Sequence, residues 1–473
     1  MPTNASKFLC YECVGDTYLS REIRDGGAVE ICTYCEQERS SIPLEQAAER
    51  FHEVFCKLYK EEEGTPTFTG DDDRTDFKYY GSTPRQLIGE VMEVDDPISE
   101  DIYNFLHNAY NYRAIRDGSP HCYDNTPFVE IDISSSGYSL VWEKFCSRIK
   151  HKYRFFDIAA QDDLGKILNE VLNYRSLSGK AAVRMIDPHD EARFIYRARQ
   201  ADNDEAIMRI CQSPDKELGP PPQHVVTAGR MNPVGISVFY GAFDDETCIA
   251  EIRLPVGGRA VVGKFEIIRP LRILDFTVFD DYPEAISKFD PDYINKRKHF
   301  AFLETFHQEI RKPVLPRDEV LDYIPTQAVA EYLATLFNPA LDGLIFSSAQ
   351  NDGQGHNIVI FNHAAKVEVM GPLVETIRPE AKFKPYFDED SMAFVIEEIR
   401  DTEQENSADS TTTTKHHPYV LYWEDLFEEP EIEPALRFVP HSISIFKVTS
   451  VRHDTEIFSV HQYTVEDRND FPF

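Results

Sequence analysis

Basic residues are scarce: 49 Lys and Arg stand against 82 Asp and Glu, a formal charge of -33 over 473 residues. A nucleic-acid binder needs a basic groove to displace counterions, so nucleic acid is not the expected partner. Long apolar runs are missing as well. No stretch approaches the ~20 residues that a membrane-spanning helix requires. Residues 1–6 carry neither the basic n-region nor the apolar h-region of a secretory signal. The expectation is a cytoplasmic protein with no membrane partner. Internal repeats are absent too. What is present is enough apolar material, 42% hydrophobic and 12% aromatic residues, to bury a core despite the charge, which excludes wholesale disorder. The length predicts two or three domains.

Nine cysteines leave one over from complete pairing, and four are bunched as Cys10-x2-Cys13 and Cys32-x2-Cys35 with eighteen residues between the pairs. Each close pair sets two sulfurs on one tight turn, and two facing turns complete a tetrahedron around a borderline-soft ion. The spacing predicts a closed four-thiolate zinc site whose role is to fold a short segment, with Gly26-Gly27 at a turn between its halves. The alternative is four reduced thiols that share this spacing by chance. Cys56, Cys122, Cys146, Cys211 and Cys248 are scattered, mostly in apolar surroundings where inert buried thiols are expected.

Along the chain, residues 44–59 place apolar side chains near a 3.6-residue period and predict a helix, so residues 1–62 read as a cysteine module plus helix. The acidic, Gly- and Pro-containing stretch 61–73 reads as a linker. Helical patterns at 99–116, 139–155 and 162–174 make 77–180 a helical domain. From residue 192 short β-branched and aromatic runs alternate with helical periods at 245–253, 295–310 and 326–337, so strands with helices set against them, an α+β class, are expected over 190–380. Residues 401–418 are polar, low in complexity and expected to be disordered. The extension 419–473 regains alternating runs that predict an added strand or two.

Polar residues stand at awkward places in the apolar runs of the α+β segment: Arg197, Arg230 and Tyr240, Glu251, and Ser348. Guanidinium groups bind diphosphate oxygens in forked pairs, which makes Arg197 and Arg230 candidate anion clamps. Asp244 marks the start of a helix carrying Glu251, and Gly353 and Gly355 permit a tight loop after Ser348. Each residue has a plainer reading: a solvated Glu251, an Arg197 paired with Glu191 or Asp202, a Tyr240 in the core, a Ser348 that ends a strand.

The segment GRMNPVGISVFYGAFDDETCIAEIR, preceded by FIYRAR and followed by LDGLIFSS, resembles the arginine, glycine, tyrosine, glutamate and serine pattern of the RES family. The resemblance implies an ADP-ribosyltransferase-like fold that binds NAD as substrate and breaks its nicotinamide-ribose bond. Glu251, Arg230 and Ser348 are then the candidate catalytic residues, and Arg197, Arg230, Tyr240 and Ser348 the NAD-binding ones. It also implies a toxin, with an antitoxin or regulatory protein as partner and inorganic phosphate or water as acceptor. Transfer of ADP-ribose to a macromolecule, a silent NAD or ADP-ribose sensor and a docking scaffold are the alternatives. Residues 1–180 resemble the extension, grouped with HEPN domains, that precedes some RES domains. Arg116 and His121 have a spacing reminiscent of HEPN ribonucleases, but they flank Asp117-Gly118-Ser119-Pro120, which breaks a helix.

Overall fold

The computed structural model describes residues 6–68, 75–111, 123–124, 126–176, 178–280, 286–315, 317–351, 354–370, 384–388, 391–395 and 432–451. Arg116, His121, Cys122, Gly353 and the whole of 401–418 lie outside these residues. The chain is α+β and divides into two compact units. The first comprises Met1–Arg184, Leu274–Tyr332 and Leu336–Pro339, and the second Met185–Ile273, Leu333–Thr335 and Ala340–Phe473.

In the first unit the segment around the cysteines is a three-stranded antiparallel sheet, Phe8–Cys10, Glu38–Pro43 and Ala28–Ile31, with Glu38–Pro43 central. The helix Thr17–Gly26 is started by Asp16, whose side chain accepts from the Leu19 N–H at 2.8 Å. Such a cap is worth about 1 kcal/mol. The helix Leu44–Leu58 follows the sheet directly and buries Ala47, Ala48, Phe51, Val54, Phe55 and Leu58 along one stripe. Beyond it, Pro84–Met92 opens on a capping box between Thr83 and Gln86, with Pro84 in the first turn where no N–H is needed. One core holds Leu9 and Phe51 together with Ile88, Ile102 and Phe128, so it runs through both segments that the sequence divides at 62 and 77.

Element ends differ from expectation in ways that have local causes. The pattern at 99–116 is a helix that begins earlier, at Asp96, and passes into a π-helical turn His107–Asn111. The pattern at 139–155 is the helix Ser136–His151, and Arg148 in its last turn reaches forward to Asp157 and Asp163. Asp157 also caps the next helix, Ile158–Leu168, and needs a turn before it. That turn carries Phe155 and Phe156 out to 85% and 97% exposure. Within the first unit the helical period at 295–310 is the helix Tyr293–Arg311. Its Phe306 meets Trp142 of Ser136–His151 edge to face at 4.7 Å.

The second unit is built on a sheet that runs in the order Leu436–Phe438, Arg259–Ile267, Phe194–Gln200, Phe239–Ala242, His356–Ile360 and Gly343–Ser347. Ser444–Lys447 also pairs with Arg259–Ile267, so both strands expected from the carboxy-terminal extension join this one. Ile195, Phe239, Phe265, Ile273, Ile345, Ile358 and Phe438 form the core, in which near-continuous apolar strands are buried. The apolar run that ends in Tyr240 supplies the strand Phe239–Ala242.

Two pairings decide where a cleft opens. Phe194–Gln200 runs seven pairs with Arg259–Ile267, yet on its other side it meets Phe239–Ala242 at the single pair Tyr196 and Ala242. Beyond that pair the two strands part. Phe239–Ala242 itself is fully paired with His356–Ile360, which places Tyr240 opposite Val359 and Ala242 opposite Asn357.

Candidate active site and metal centre

In the first unit Cys10, Cys13, Cys32 and Cys35 bring their sulfurs within 4.8 Å of one another. Cys10 Sγ lies 3.6 Å from both Cys13 Sγ and Cys35 Sγ, and Cys13 Sγ lies 3.8 Å from Cys32 Sγ. These separations are far beyond the ~2.05 Å of a disulfide bond. Burial pushes the Cys10 thiol up to about 11 and the Cys13 thiol further still. Burial also raises Cys32, but backbone donors from Cys35, Tyr34 and Cys10 outweigh it and bring that thiol to about 7. Four sulfurs gathered on two turns fit a metal ion, which a set of thiolates needs to offset its charge.

In the second unit the parted strands leave a cleft of about 370 Å³ lined by Arg197, Arg199, Glu217, Gly229, Asn232 and Tyr240, with smaller side chains between. Arg197 is the sharpest feature of this cleft. Its residue is half-buried, but its Nη1 is sealed from solvent and has no hydrogen-bond partner among the described residues. The guanidinium lies 5.0 Å from the centre of the Phe239 ring. Burial, reinforced by the nearby positive charge of Arg199, pushes it down to about 10. Arg199, two residues on, is engaged with Glu217 at 3.0 Å.

Arg230 sits in a tight turn in which Gly229 and Asn232 exchange backbone hydrogen bonds. Tyr240 holds that turn: its hydroxyl accepts from the Met231 N–H at 2.9 Å and donates to Asn232 Oδ1 at 2.8 Å. The Asn232 amide in turn donates to the carbonyls of Thr227, Pro233 and Ile236. Gly229 is required here, since a Cβ would stand 2.5 Å from Asn232 Oδ1 and 2.6 Å from the Tyr240 hydroxyl. The ring of Tyr240 thus borders the cleft while its hydroxyl fixes the loop that carries Arg230.

Glu251 ends the helix Asp245–Glu251, which starts at Asp244 as the sequence predicts, with the Asp244 side chain accepting from the Thr247 N–H at 2.6 Å. Ser348 Oγ donates to Glu251 Oε1 at 2.7 Å and accepts from the Gln350 N–H at 3.1 Å. Asn357 Nδ2 donates to the same Oε1 at 2.7 Å. The loop after Ser348 is tied to the helix, because Asn351 Nδ2 donates to Thr247 Oγ1 at 3.1 Å. Gly355 abuts Thr247 so closely that a Cβ would lie 1.9 Å from Thr247 Oγ1.

The site residues therefore fall into two groups. Glu251 and Ser348 are joined directly, and Arg197 and Tyr240 line the cleft beside the Arg230 turn, whereas Glu251 and Ser348 are not among the residues lining that cleft. Residues 179–378 match the RES domain, and residues 26–163 match HEPN/RES N-terminal domain 1. The chain carries a RES domain. No curated protein matches the chain significantly. The amino-terminal match begins between the two cysteine pairs, so it takes in Cys32 and Cys35 but not Cys10 and Cys13.

Within the RES domain two residues escaped the sequence reading, Asn232 and Asn357. Asn357 is 6% exposed in a strand otherwise made largely of aliphatic side chains. A lone amide in such a run has to be satisfied internally, which is the signal that was available.

Proposed function

We propose that the RES domain binds NAD with Arg197 and Arg230 on its diphosphate and breaks the bond between nicotinamide and ribose, in the manner of an NAD phosphorylase or glycohydrolase. The observation that carries the reading is the buried Nη1 of Arg197, a cationic donor without a partner among the described residues at the wall of a cleft. Leaving such a donor unpaired is costly, and a phosphate oxygen would satisfy it. The cleft volume falls in the ~300–1,000 Å³ range of small-molecule sites.

Cleavage sends the electron pair of the C–N bond to the nicotinamide nitrogen and neutralises its pyridinium charge, while positive charge develops on the ribose. The Glu251 carboxylate stabilises that charge. Water or inorganic phosphate then forms the new bond to the anomeric carbon, and with water one proton is released. In the cell this reaction makes the protein a toxin held in check by a partner. The cysteine cluster is proposed to hold structural zinc, since a tetrahedron of Zn–S bonds of ~2.3 Å has edges of ~3.8 Å, and three of the six sulfur separations are 3.6 to 3.8 Å with all six within 4.8 Å.

The test is product identification after incubation of the full chain with NAD, with and without phosphate. Nicotinamide with ADP-ribose marks hydrolysis, and nicotinamide with a phosphorylated ADP-ribose marks phosphorolysis. Binding of NAD without nicotinamide release would overturn the enzyme in favour of a sensor.

A further inference from the structure

Among the described residues, both hydrogen bonds to the Glu251 carboxylate arrive at one oxygen. Ser348 Oγ and Asn357 Nδ2 each donate to Oε1 at 2.7 Å, and Oε2 receives none. The two donors reach it from neighbouring strands. Asn357 lies in His356–Ile360, where its backbone is paired on both sides, to Ala242 and to Phe346. Ser348 follows Gly343–Ser347 directly and is fully buried. Both donors are thus buried and carried on backbone held by the sheet.

We infer that Asn357 is a positioning residue for the reaction, acting with Ser348 to clamp Oε1 so that Oε2 is the oxygen presented to the developing ribosyl cation. The inference rests on the assignment of Glu251 as the carboxylate that meets that charge. Its physical basis is preorganisation. A carboxylate with free side-chain torsions spreads its charge over many positions, and one pinned through a single oxygen keeps the other at a fixed place without reorganising when charge appears. Two donors on one oxygen also outdo one donor in direction, because the Ser348 hydroxyl alone leaves the carboxylate free to turn about that bond. The buried amide is a poor choice for a strand centre unless it is satisfied, and Glu251 satisfies it.

The experiment is a cycle in the full chain between Asn357→Ala and Glu251→Gln, reading kcat, KM and melting temperature with NAD. A positioning role predicts that Asn357→Ala lowers kcat by roughly ten- to a hundredfold with KM little changed. In the Glu251→Gln background it should lower the residual kcat by less than about twofold, since no charged oxygen remains to be aimed. The amide oxygen introduced by Glu251→Gln can still accept from Asn357, so a purely structural bond would cost the same melting temperature in both backgrounds. An unchanged kcat in Asn357→Ala, or an equal kcat penalty in both backgrounds, overturns the inference. Wild-type protein that releases no nicotinamide overturns the underlying reading instead, and the two failures are thereby distinct. If Asn357→Ala does not fold, Asn357→Ser, which keeps a small polar group but cannot span the gap, takes its place with the same expectations.

Discussion

The Tyr240 hydroxyl donates to Asn232 Oδ1 at 2.8 Å. With the Met231 N–H donating to the same hydroxyl, the phenol closes a turn that the backbone alone would hold weakly, and Arg230 rides on that turn. The Tyr240 oxygen is thus engaged with the loop that carries Arg230, while its ring lines the cleft.

Tyr240→Phe should therefore keep the ring at the cleft and weaken NAD binding severalfold by loosening the Arg230 turn, with one hydrogen bond of about 1 kcal/mol lost on each side of the phenol. Calorimetry in a Glu251→Gln background, where turnover does not interfere, measures it. Unchanged affinity would mean that the turn holds itself.

Arg197→Ala should raise the Kd for NAD by roughly ten- to a hundredfold, the loss of a charge-assisted hydrogen bond. Lysine should rescue little, because a point charge cannot replace the planar fork. The pH dependence has a definite sign. In the free protein the folded state holds the Arg197 proton less tightly than the unfolded chain, with the group lowered to about 10, so the charge costs stability at neutral pH and a bound diphosphate recovers it. NAD affinity should be flat below that value and fall as pH rises through it. Titration calorimetry between pH 7 and about 10.5 shows whether the fall is present in the wild type and absent in Arg197→Ala.

Glu251→Gln should leave NAD affinity within a few-fold and cut nicotinamide release by two or more orders of magnitude, roughly the effect of removing a preorganised charge. Wild-type chain expressed without a partner should deplete cellular NAD and arrest growth, and the variant should not. Equal toxicity of the two would place the chemistry elsewhere.

Elemental analysis of protein purified without chelators should find about one zinc per chain. Cys32→Ser should lower the melting temperature of the first unit and leave nicotinamide release by the RES domain largely intact. Zinc-free wild type would remove the metal assignment, and loss of release in an otherwise folded Cys32→Ser chain would give the cluster a part in the reaction.

Much of this is legible in the sequence alone. The two cysteine pairs, the Asp244 start of the Glu251 helix and the stripe of Leu44–Leu58 each depend on spacing within one short segment, and spacing is what a sequence records. The three-stranded sheet around the cysteines is not legible there, because Ala28–Ile31 is exposed throughout and has no buried face to impose alternation. The meeting of Arg148 with Asp157 and Asp163 across the break after His151 is a contact between side chains that periodicity does not encode. Asn232 and Asn357 are hidden for the same reason. Their importance lies in partners 8 and 106 residues away.

The strand Arg259–Ile267 gains Leu436–Phe438 and Ser444–Lys447 from the far end of the chain. During synthesis that edge leaves the ribosome without its neighbours, and at ~5–20 residues per second the wait is on the order of ten to thirty seconds. For that interval the sheet offers unpaired N–H and C=O groups to any other strand. A nascent or truncated chain is then at once the form most exposed to aggregation and the form in which the edge of the RES sheet is still open.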